Sequence, residues 1–156
     1  MLAAQVHDLA RTVIYGVRYP VEGLSALQDA GVRYGGYLPN LQAPAVYAQS
    51  QMTVHVPRQQ YSQAMSGIPT IRVFEALACG IPLISAPWDD SESLFRDGDF
   101  EWAATGTAMT RAMERLLADP VSAKHQAERG YETVLARHTC GHRAQQFLEI
   151  AEELLR

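Results

Sequence analysis

Thr70-Ile71-Arg72-Val73-Phe74-Glu75 sets a capping-type residue five positions ahead of a carboxylate, directly after the loop Ser66-Gly67-Ile68-Pro69. If a helix begins at this point, its first amides have no acceptor within the helix, and the positive end of the macrodipole lies beside them. Such a tip attracts anions, phosphate above all. Glu75 sits about one turn deeper, among Phe74, Ala76 and Leu77, where a carboxylate accepts hydrogen bonds from hydroxyl groups. A phosphate seat with a hydroxyl acceptor beside it suits a nucleotide-sugar.

Two other clusters invite a metal reading. His138 and His142 are four apart, but Thr139 between them is a helix starter, which breaks the shared face that two ligands need, and no third ligand stands nearby. Asp89, Asp90 and Glu92 could hold a divalent cation through oxygens; their position after an apolar run reads instead as capping of a helix start. No metal is expected.

The elements that would position the site follow from periodicity. Leu2, Val6, Leu9 and Ala10 form a short helical stripe, and β-rich Thr12–Val17 then closes on Arg18-Tyr19-Pro20. Leu24, Leu27 and Ala30 share a helix face that stops at Gly31, and residues 32–38 make a second strand. A helical turn over 44–50, a third strand over 52–56 and the helix carrying Glu75 come next. That helix ends at Gly80, and residues 82–86 and 100–104 supply the fourth and fifth strands. The last third is helical, with starts at Thr105, at Asp119-Pro120 and at Thr139. Strands alternating with helices imply βαβ units and a parallel sheet. The expected fold is a Rossmann-like doubly wound α/β domain over residues 1–156, with about five strands and a helical C-terminal tail. With strand order 3-2-1-4-5, ligands would bind between the first and fourth strands, lined by Gly16–Pro20 and Pro87–Ser91.

Composition narrows the class. At 156 residues, with 47% hydrophobic side chains and a net charge of −4, the chain has the balance of a soluble globular domain. Nothing in that charge invites nucleic acid or an anionic membrane. No apolar run approaches the roughly 20 residues that span a bilayer, and the N-terminus lacks the pattern of a signal peptide. Two cysteines, Cys79 and Cys140, make no disulfide framework, so a cytoplasmic location is expected.

The segment Arg72, Phe74, Glu75, Ala76, Leu77, Ala78, Cys79, Gly80 resembles the R-x-F-E-A-L-A-C-G signature of the donor-binding, C-terminal half of GT-B glycosyltransferases, in particular the spore-maturation-type group of glycosyl transferases group 1. Tyr15-Gly16, Gly36-x-Leu38-Pro39, Val56-x-Arg58, Leu116–Pro120, Gly130-Tyr131 and Arg137-His138-Thr139 extend the likeness over most of the chain. The resemblance implies a nucleotide-sugar donor and no metal or other cofactor. It implies that Glu75 accepts from the ribose hydroxyls, that the backbone at Thr70 and Ile71 meets the diphosphate, and that Tyr37 and Leu38 border the base. Arg72 either adds a cation at the diphosphate or pairs with a surface acid, and Arg18 and Arg58 are further phosphate candidates. Many retaining relatives carry a second glutamate eight positions before the ribose one; Gly67 stands there. Catalysis in GT-B enzymes takes two Rossmann-like domains, so an acceptor half is expected from a second domain or protein partner.

Two other readings compete. A non-catalytic interaction module retaining the fold is favoured by the single-domain length and by Gly67. A receiver- or flavodoxin-like domain is disfavoured, because Arg18 and Tyr19 follow the first strand where acids or a hydroxyl-rich phosphate loop belong.

Overall fold

The computed structural model describes residues 11–57, 67 and 69–155. Element β1 is Val13–Tyr15, α1 Val21–Asp29 and β2 Arg33–Gly36; a 3-10 turn, Asn40–Gln42, leads into α2, Ala43–Ala48. Next come β3 (Thr53–His55), α3 (Ile71–Ala78), β4 (Leu83–Ser85) and β5 (Glu101–Trp102). Three helices finish the chain: α4 (Gly106–Ala118), α5 (Pro120–Arg137) and α6 (Cys140–Leu154). The stripe expected over residues 2–11 falls almost wholly outside the described residues.

All pairings are parallel, in two sheets ordered β1-β2 and β3-β4-β5. The expected order is corrected here. β4 has a neighbour on each side, so the first strand does not lie beside the fourth, and no crevice separates those two. The reason is the tight β3-α3-β4 crossover: α3 buries Val73, Ala76 and Leu77 against the sheet, and β4 returns alongside the strand that the chain has just left.

β4 is the centre of the molecule, and all three of its residues are buried. Alternation sends Leu83 and Ile84 to opposite faces. On one face Leu83 joins Val73, Leu77, Phe95, Phe100 and Val134; on the other Ile84 meets Ala103, Met109, Ala112 and Leu116. With both faces covered, Leu83 and Ile84 are apolar in succession rather than alternating with polar residues, which is the usual state of a parallel sheet. α5 lies so close to α3 that a Cβ at Gly130 would meet Leu77 Cδ2 at 2.6 Å and the Asp99 carbonyl at 2.8 Å.

Local capping is as the sequence signals it. Thr105 accepts from the Ala108 amide and Asp119 from Ser122, while Thr139 and His142 form a reciprocal capping box. Gly80, in the left-handed region at φ 64°, follows the end of α3 and turns the chain into β4. One capping expectation fails. No helix starts after Asp89-Asp90; the Asp90 carboxylate instead accepts from the Leu94 and Phe95 amides and pins an irregular turn.

Candidate functional site

The α3 tip is built from β3, β4 and the N-cap of α3. Parallel register sets His55, Ser85 and Trp102 side by side at the C-terminal ends of β3, β4 and β5. In open α/β sheets this is the edge on which ligands bind. Thr70 has the extended backbone of an N-cap, φ −72° and ψ 155°, yet its side chain does not cap the helix. Its hydroxyl lies instead 2.9 Å from His55 Nε2. The Ile71 and Arg72 amides therefore have no acceptor among the described residues, and the Ile71 side chain is exposed.

One turn further on, Arg72 Nη1 donates to Glu75 Oε2 at 2.6 Å, and Arg72 Nη2 makes a long 3.4 Å bond to Asn40 Oδ1. Arg72 is thus committed to the acid on its own helix. Glu75 is half-buried beside Tyr47 and Cys79. Burial first, and the Glu75 charge second, push the Tyr47 hydroxyl and the Cys79 thiol up from their ordinary values.

Among the expected site residues, Thr70, Ile71, Arg72 and Glu75 are brought together on one helix. Tyr37 and Leu38 follow the end of β2, and the chain reaches Asn40 two residues later, so this loop is tied to Arg72. Tyr37 is exposed. Arg18 is exposed in the loop after β1, at φ 58°, and β1 belongs to the two-stranded sheet. Arg58 lies outside the described residues. Gly67 takes φ 88°, and a Cβ there would meet the Asp89 carbonyl and Ser91 Oγ at 3.4 Å. The backbone itself disfavours a side chain at this position, where the resemblance would lead one to expect a glutamate.

His55, Ser85, Asn40 and Tyr47 were not singled out from sequence. A signal existed for the first two: each is a polar residue closing a strand in an apolar run, at the edge where parallel sheets bind ligands. His138 and His142 have structural work. His138 Nε2 donates to the Leu94 carbonyl at 2.7 Å, and His142 closes the α6 capping box. Trp88 packs among Phe95, Phe100 and Trp102. A groove of about 590 Å³, lined by Cys79, Gly80, Pro82 and Leu116 among others, lies at the opposite end of β4 from Ser85 and takes no part in this arrangement.

Two solved structures share the fold. Sucrose-phosphate synthase from Thermosynechococcus elongatus matches with a TM-score of 0.72 and 20% identity, over 92% of this chain and 38% of that one. Anabaena Alr3699/HepE, solved in complex with UDP-glucose, matches with a TM-score of 0.73 and 14% identity, over 90% and 40%. This chain therefore spans about two fifths of the length of either. No curated protein sequence matched it. The model of the family described as glycosyl transferase-like matches residues 1–149. A parallel α/β sheet, two solved structures of the same fold and a family match over nearly the whole length make this chain a member of the glycosyl transferase-like family with a Rossmann-like GT-B domain.

Proposed function

We propose that the chain is the donor-binding half of a glycosyltransferase, taking a nucleoside diphosphate sugar at the tip of α3. The diphosphate sits on the Ile71 and Arg72 amides, Glu75 accepts from the ribose hydroxyls, and the loop of Tyr37 and Leu38 borders the base. Transfer of the sugar leaves negative charge on the departing diphosphate. Fixed N–H donors and the helix dipole stabilise that charge as it develops, without reorganising. This chemistry calls for no metal. The acceptor, and any general base, come from a second domain or a partner protein, in keeping with the two fifths of the solved relatives that this chain spans.

The observation that carries the reading is the α3 tip, whose first two amides meet no acceptor among the described residues and whose own threonine hydroxyl is turned away to His55, while Glu75 stands one turn behind. The UDP-glucose held by the Anabaena relative is consistent with it. Isothermal titration with UDP, GDP and dTDP tests it: one of the three binds, and Glu75→Ala weakens that binding. Absence of binding by all three at millimolar concentration overturns the proposal. A second reading, a non-catalytic interaction module, is favoured by Gly67; it predicts no transfer or hydrolysis of a sugar nucleotide even with the second domain supplied.

A further inference from the structure

His55 is a buried titratable side chain to which the donor-binding reading gives no task, and both its ring nitrogens are engaged. Nδ1 lies 2.9 Å from Ser85 Oγ and Nε2 2.9 Å from Thr70 Oγ1. The Ser85 hydroxyl donates to the Ala86 carbonyl at 2.9 Å, so its oxygen accepts from the Nδ1–H. A neutral imidazole carries one proton, which leaves Nε2 an acceptor and makes the Thr70 hydroxyl its donor. The ring is 6% exposed, and burial pushes its pKa down, which favours the neutral form. Without ligand, then, the Thr70 hydrogen is directed at the ring, and the Thr70 hydroxyl offers only its lone pairs to an anion on the neighbouring Ile71 and Arg72 amides. The polarity of that one hydroxyl repels an oxyanion.

We infer that His55 is a positioning residue for the diphosphate seat: moving its proton from Nδ1 to Nε2 releases the Thr70 hydroxyl to donate to a phosphate oxygen. The inference rests on the seat proposed at Ile71 and Arg72. In the exchanged state Nε2–H donates to Thr70 Oγ1, and the Ser85 hydroxyl turns from the Ala86 carbonyl onto Nδ1. One proton leaves one nitrogen and one arrives at the other through solvent, so the charge of the ring does not change. Three hydrogen bonds exist before and three after. The bond that ended on a neutral carbonyl now ends on an anion, and hydrogen bonds to ionised acceptors are the stronger kind. Ser85, in register with His55 on the neighbouring strand, holds the ring in place through both states.

The test is long-range proton–nitrogen spectroscopy on the full chain with labelled histidine, at about pH 8, above the ordinary imidazole value. Inorganic pyrophosphate and UDP-glucose are the probes. The expected result is that Nδ1 changes from pyrrole-type to pyridine-type and Nε2 the reverse, while the Ile71 and Arg72 amides shift. Thr70→Val should abolish the nitrogen change and weaken pyrophosphate binding about tenfold, the loss of one charge-assisted hydrogen bond; Thr70→Ser should restore both. Amide shifts at Ile71 and Arg72 with unchanged His55 nitrogens overturn the inference and leave the seat standing. Absence of amide shifts with both probes removes the seat and the inference together. Should Thr70→Val fail to fold, the wild-type spectra decide alone.

Discussion

Glu75 and Arg72 neutralise each other in the free protein, at 2.6 Å, on a helix face where both side chains remain partly exposed. Such pairs add about 0–1 kcal/mol to stability, so the acid is available to a ligand at little structural cost. Glu75→Gln is accordingly expected to weaken nucleoside diphosphate binding about tenfold by isothermal titration while leaving the melting temperature nearly unchanged. His55 behaves in the opposite way, because it is buried and its neutral form is favoured. With its folded-state pKa below the ordinary 6.5, the unfolded chain binds the proton more readily. The stabilising contribution is complete above about pH 6.5 and is lost progressively as pH falls towards the lower folded-state value. Denaturant midpoints measured from pH 8 downward should show this decline, and His55→Gln should shrink it.

At the scale of elements, the crossing of α3 and α5 holds the site still. α3 is only Ile71–Ala78, and its tip can be rigid only if its buried face is clamped. Leu77, fully buried, and Gly130 across from it form that clamp. Gly130→Ala places a methyl group inside the contact distance of Leu77 and the Asp99 carbonyl, and is expected to destabilise by about 1–3 kcal/mol in denaturant titration. Leu77→Ala removes the side chain from the same spot and costs about 2–5 kcal/mol. The two changes share one space, so the double variant should lose less than the sum of the singles. Additive losses would show that the helices can move apart and that the tip is not fixed by this crossing.

At the scale of the molecule, burial is uneven. β4 is covered on both faces, whereas α6 buries none of its residues and exposes Phe147, Leu148, Ile150 and Leu154. An apolar stripe of this kind marks an interaction face more often than a fold-stabilising one, which fits the proposed second domain or partner protein. Phe147→Ala should change the unfolding free energy by less than about 0.5 kcal/mol, the usual range for surface sites. Leu116→Ala, which empties a position in the core between α4 and β4, should cost about 2–5 kcal/mol. Equal losses in chemical denaturation would mean that α6 folds back onto the domain in solution.

What the amino-acid sequence by itself determined is local. The boundaries of α1 and α3–α6, the stops at Gly31 and Gly80, the caps at Thr105, Asp119 and Thr139, and Thr70, Ile71, Arg72 and Glu75 together on one helix all follow from periodicity and capping chemistry within a few residues. Only the tertiary structure decided which strands pair, because strand order depends on contacts between residues distant in sequence, and β4 chose β3 and β5 over β1. It also decided that the Thr70 hydroxyl faces His55 rather than its own helix, that Arg72 pairs with Glu75, and that Asp90 pins a turn instead of starting a helix. A short polar side chain has several partners within reach, and its choice is made by whatever the packed core brings alongside.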